Sequence, residues 1–273
     1  MYEFNVKSRP VLNIRGQVIE GHRENFREDT GEHLALVSDK YKVVHHKEVI
    51  DRVESCLKLG EFQRKIYCPN NGARLYAVYD FKEQRAEVAK GDIIGMRVTL
   101  RNSYDRSSGI PIDAGALRLV CTNGMTSPCM NTKQSGSHSM NLDLEYINDA
   151  INSAKREFDA SVEGYRVLHG FKITQQKGES LIEKLVESKK IGNRRGKDIL
   201  DIWRNPTYSQ DKDRNIYNLY NAVTQNLTPE MDKSFELVAR TNRDVLKFLQ
   251  HESNEACCMG SAREPRPSAT RRI

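Results

Sequence analysis

Between Ile93 and Arg101 the chain reads IIGMRVTLR, with an apolar residue at every second position. Ile94, Met96, Val98 and Leu100 alternate with Arg97, Thr99 and Arg101. A period of two puts the first set on one face of a strand and the second on the other. The stretch GALRLVCT repeats the pattern, with Leu117, Leu119 and Cys121 against Arg118, Val120 and Thr122. Two further strands, FQRKIYCP and ARLYAVYDF, flank Asn70-Asn71-Gly72, and AEVAK precedes Gly91-Asp92. Both junctions carry hairpin chemistry. The pattern predicts an antiparallel sheet with one apolar and one polar face.

Elsewhere the period is helical. Val49, Ile50, Val53 and Leu57 predict a helix from Lys47 to Leu59, stopped by Gly60. Beyond Asn141, Leu144, Ile147, Ile151, Ala154, Phe158 and Val162 form an amphipathic stripe. Further helices are expected near Glu179–Ser188, Lys197–Trp203 and Ile216–Val223, with Thr228-Pro229 opening a last one that runs to about Gln250. The fold class is therefore α+β: a central antiparallel β-sheet, an N-terminal helix and a mainly helical C-terminal half packed on the apolar face. Residues 1–33 read as irregular, 34–250 as one domain (sheet-rich to 135, helical from 136) and 251–273 as a flexible basic tail.

With 38% hydrophobic and 29% charged residues, and no apolar run of bilayer-spanning length, the expectation is a soluble cytoplasmic protein without a membrane partner. The six cysteines include no CxxC pair, so free thiols are expected, with no metal and no cofactor. A net charge of +6 permits nucleic-acid binding without requiring it.

Two stretches carry chemistry suited to phosphates. Arg97, Arg101 and Arg118 fall on the polar face of neighbouring strands, beside the loop NSYDRSSGIPIDAG. There the arginines would neutralise phosphates, while Asn102 would position a strand and Tyr104 would stack on a base. The second stretch, ESKKIGNRRGKDIL, places Lys189, Lys190, Arg194, Arg195 and Lys197 around Gly192 and Gly196, where glycine allows close backbone approach. A solvated sheet face and ordinary loop chemistry explain the first stretch more simply, and a solvated inter-helix loop explains the second equally simply. Enzyme signals are weak. Asp80, Glu83, Asp92, Asp105 and Asp113 lack paired-acid spacing, GNRRGKD is not a P-loop, and His138 stands in no nucleophile motif.

Five stretches, taken together and in order, resemble an uncharacterised phage/plasmid-like protein family: LALVSDKYKVVHHKEVID, VTLRNSYDRSSG, LRLVCTNGM, SGSHSMN and NLYNAVTQNLT. They span about Ala35 to Leu227. The resemblance implies a bacteriophage or mobile-element gene, hence a host cytoplasm, without implying an activity. Relatives usually carry an Arg-His pair where Gly136-Ser137-His138 stands here. The element order alone is similar to that of single-strand-annealing recombinases, which bind single-stranded DNA in a basic groove, often as rings or filaments. Together these readings predict a non-enzymatic protein that binds single-stranded nucleic acid and supports annealing or recombination, with homo-oligomerisation open. A protein–protein module inhibiting a host factor, or a metal-dependent nuclease, are the alternatives.

Overall fold

The computed structural model describes residues 2–119, 123–126, 135–139, 142–230 and 235–260. Two antiparallel sheets and six α-helices give the α+β fold that the periodicities predict.

The larger sheet holds β4 (Phe62–Tyr67), β5 (Arg74–Ala89), β6 (Asp92–Ser103), β7 (Ile110–Arg118) and β8 (Asn123–Thr126) in sequential order, with β9 (Ser135–Gly136) pairing to β7. A 3-10 turn at Asn70–Gly72 joins β4 to β5. Asn70, Asn71 and Gly72 all have positive φ, and a Cβ at Gly72 would lie 2.5 Å from the Phe4 ring, so glycine is required there. Register puts Ala77, Leu100 and Ile112 side by side, then Tyr79, Val98 and Ala114, then Met96 with Ala116. These rows are buried. Against them pack α1 (His46–Cys56), through Val49, Ile50 and Val53, and α2 (Tyr146–Gly170), through Ile147, Ile151, Ala154, Phe158 and Val162.

The helical half continues with α3 (Gln175–Glu187), α4 (Asn193–Arg204), α5 (Ile216–Leu227) and α6 (Phe235–Gly260). Every residue of α5 from Ile216 to Thr224 is buried, which makes it the central rod of that half. Thr228, expected to cap the last helix, instead donates its hydroxyl back to the Thr224 carbonyl at 2.8 Å, at the end of α5. Residues 251–260, expected in the tail, belong to α6; residues 261–273 lie outside the described residues.

The second face of the sheet is partly covered, although Gln63 and Lys65 of β4 stay exposed on it. Tyr76 and Val78, on the same face as Arg101 and Thr99, are buried and pack against Ala239 of α6. α6 therefore covers the part of this face around Tyr76 and Val78.

The segment 1–33, expected to be irregular, supplies β1 (Val6–Leu12) and β2 (Val18–Arg27), which pair with β3 (His33–Ser38) in a three-stranded sheet. Apolar alternation could not reveal these strands because polar pairs hold them. Ser8 Oγ donates to Asn25 Oδ1 at 2.5 Å, Arg9 pairs with Glu24 at 2.6 Å, and the one fully buried residue of β2 is Asn25. Asn25 also donates to the Tyr104 carbonyl at 3.0 Å, tying this sheet to the main domain.

Candidate functional site

The sheet arginines do not face solvent as a row. Arg97 is 8% exposed and forms two bonds to Asp80 directly opposite on β5, at 2.5 and 2.8 Å. Arg101, half-buried, donates to Asp113 at 2.8 Å. Arg118 is fully buried. Its guanidinium bonds Asp92 at 2.8 and 2.6 Å and Asp211, from the helical half, at 2.8 Å. Burial alone would lower the pKa of Arg118, but the two carboxylates outweigh it and raise the pKa further.

The face assigned to Arg118 is corrected for a readable reason. β7 begins at Ile110, inside the stretch that reads as a loop, and Ile110, Ile112, Ala114 and Ala116 set its phase. Arg118 is in phase with them and occupies a core position, while Leu117 and Leu119 are half-buried. For the other two arginines the face was right, but acids on neighbouring strands and α6 leave no open cradle there.

Asn102 and Tyr104 are also interior. Asn102 Nδ2 donates to the Val44 carbonyl and to His46 Nδ1, each at 2.9 Å, while its Oδ1 accepts from the Ser103 amide. Tyr104 stacks on the His46 ring at 4.0 Å, and its hydroxyl accepts from the His46 amide at 2.8 Å. Tyr104 therefore offers no base-stacking surface. His46 itself donates from Nε2 to the Gly72 carbonyl at 2.9 Å, and burial pushes its pKa down to about 3. His138 stacks on Tyr41 at 4.8 Å and donates from Nδ1 to the Lys42 carbonyl at 3.0 Å; burial lowers its pKa too. These residues lie in the resemblance stretches and form a packing knot where α1, β6 and the N-terminal sheet meet.

Four of the five scattered acids, all but Glu83, are similarly committed. Asp80, Asp92, Asp105 and Asp113 each take an arginine: Arg97, Arg118, Arg74 and Arg101 respectively. Among the described residues no group of three or more His, Cys, Asp or Glu is placed to hold a metal ion, and no helix is long and apolar enough to cross a membrane. Cys121 and Cys129 lie outside the described residues. Cys56 is half-buried and donates to Asn148 Oδ1.

The second cation cluster is at the surface. The α3–α4 turn and α6 border an open groove of about 500 Å³, lined among the described residues by Lys189, Lys190, Arg195 and Arg240 with one acid, Asp244, beside buried Ile191 and exposed Leu237. Arg194 and Lys197 are exposed on the adjacent first turn and a half of α4. Lys189, Lys190, Arg194 and Lys197 make no ion pair among the described residues. The N-cap of α4 is Gly192, with no capping side chain, so the first amides of the helix add their positive dipole end.

α3 closes in a Schellman arrangement, with the Lys190 amide donating to Leu185 and the Lys189 amide to Val186. Its left-handed position, where glycine is usual, is occupied by Lys189 at φ 56°. Gly196, expected to admit a phosphate, instead lets α4 approach α3: a Cβ there would meet Val186 Cγ2 at 2.5 Å. Arg240 was missed from the sequence because it comes from α6, about fifty residues away, and only the fold brings it to the groove.

No curated protein and no solved structure shows significant similarity to this chain, so the element-order likeness to annealing recombinases gains no structural counterpart. A family of uncharacterised domains does match, over residues 33–256, which is most of the chain and includes both the histidine knot and the basic groove. The chain belongs to the family described as a domain of unknown function, DUF932.

Proposed function

We propose that this protein binds the backbone of single-stranded nucleic acid, DNA in the first instance, along the groove between the α3–α4 turn and α6. It would support strand annealing or recombination without covalent chemistry, in the phage or mobile-element setting that the sequence resemblance implies. One observation carries the reading. Among the described residues four cations line the groove against one acid, and one of them, Lys189, holds a left-handed backbone position at a cost of roughly 1 kcal/mol that glycine would avoid. A strained residue retained at a charged groove supports a role for its ammonium group.

The groove is the size of a small-ligand site and takes a short run of one strand. A duplex, whose major groove alone is about 12 Å wide, would touch only its rim. Exposed Leu237 suits the face of an unpaired base, and the cations supply phosphate partners.

About four phosphate contacts on a single strand predict a salt slope near −3, hence a loss of about 50-fold in affinity between 50 and 200 mM salt. Fluorescence anisotropy with a labelled oligonucleotide measures this. Lys190→Glu combined with Arg194→Glu is expected to abolish binding while the melting temperature stays unchanged. Absence of binding at 50 mM salt, salt-independent binding, or undiminished binding by the double variant refutes the proposal.

A further inference from the structure

The tip of the β1–β2 hairpin is a preformed apolar point with Arg15 at its apex. Leu12 and Val18 are each 57% exposed, Ile19 is 40% exposed and Ile14 is entirely exposed. Burying apolar side chains is the normal outcome of folding, so four aliphatic groups held outward within eight residues mark a contact surface. The turn is also closed by local hydrogen bonds. The Asn13 amide donates to the Gln17 carbonyl at 2.8 Å, Asn13 Oδ1 accepts from the amides of Arg15 and Gln17 at 2.9 and 3.0 Å, and Gly16 turns the chain at φ 76°. Ordering costs are therefore met before any partner arrives.

Charge and backbone chemistry narrow the partner. Arg9 is paired with Glu24, so the charges left on residues 10–23 are Arg15 and Arg23 against Glu20, and Arg15 sits beside Ile14 at the apex. β1 is one of the two outer strands of its sheet, and Pro10 removes an amide from it, which weighs against pairing of this strand with another β-edge. An aliphatic wedge flanked by arginine fits stacked bases on a phosphate chain.

We propose that this tip is a wedge that inserts Ile14 between adjacent bases of the bound strand, with Arg15 on the flanking phosphate. The proposal rests on the nucleic-acid reading above and adds a second contact that separates bases, which a protein assisting annealing requires.

An oligonucleotide carrying 2-aminopurine tests it, because its fluorescence rises when a base is unstacked. The full-length protein is expected to raise the signal. Ile14→Ser is expected to abolish that rise and weaken binding about 5-fold, the scale of one lost base contact, with melting temperature and salt slope unchanged. Arg15→Glu is expected to lower affinity further. Binding by the wild type with no rise, or an equal rise with Ile14→Ser, overturns the wedge while leaving the groove standing. So does finding that Ile14→Ser instead abolishes self-association in sedimentation, or binding to phosphatidylcholine–phosphatidylserine vesicles. No binding of the oligonucleotide by the wild type removes both proposals.

Discussion

Acidification should unlock this protein at His46. The imidazole is fully buried and both its nitrogens are occupied in the neutral form: Nε2 donates to the Gly72 carbonyl, and Nδ1 accepts from Asn102 Nδ2. A proton on Nδ1 would point at the Asn102 amide hydrogens. Turning the Asn102 amide to accept it would give up the bonds to the Val44 carbonyl and the Ser103 amide. The imidazolium is thus excluded by geometry as well as by burial, and the folded pKa falls from 6.5 to about 3. A base whose pKa is depressed on folding stabilises the fold above its unfolded pKa and loses that contribution as pH falls toward the folded value. Between pH 7.5 and pH 5 the loss is about 2 kcal/mol, a large share of the roughly 5–15 kcal/mol that holds a domain together. Urea unfolding followed by circular dichroism at both pH values measures it. His46→Gln, which cannot charge, separates this group from the carboxylates by flattening the slope. An imidazole resonance of His46 titrating near 6.5 by NMR, or an unchanged slope in His46→Gln, would refute the reasoning.

Arg118→Met should cost about 3–5 kcal/mol in urea unfolding, because it leaves Asp92 and Asp211 buried without their cation. Arg101→Glu should lower the melting temperature by setting an acid beside Asp113, and should leave the salt slope of nucleic-acid binding unchanged; a changed slope would return Arg101 to the binding surface. Lys189→Gly should raise stability by up to about 1 kcal/mol while weakening oligonucleotide binding, opposite signs that a purely structural lysine would not produce. Gly72→Ala should destabilise markedly by thermal melt, since its φ of 85° and the Phe4 ring both reject a methyl group.

Periodicity carried most of the main domain. The alternation at Ile94–Leu100 located β6, and the 3.6-residue stripe from Ile147 to Val162 located α2, because each buries one apolar face. Where burial was polar the signal vanished: β1 and β2 are joined by Ser8, Arg9, Glu24 and Asn25, residue types that read as loop. The arginines failed differently. Nothing local distinguishes a solvated arginine from one facing a carboxylate seventeen or ninety-three residues away, as Arg97 faces Asp80 and Arg118 faces Asp211. The α3–α4 cluster was legible because its cations are consecutive and its glycines bracket a turn, yet the groove wall supplied by Arg240 was not.

The pairing of Arg118 with acids from two different regions has a consequence for how the gene can be cut. Asp92 starts β6 and Asp211 precedes α5, so one guanidinium clasps the strand layer to the helical layer in the dry interior. A fragment ending after the strands would bury a charge with half its counter-ions gone. The two layers are therefore expected to melt in one transition, and to resist separate inheritance as exchangeable modules.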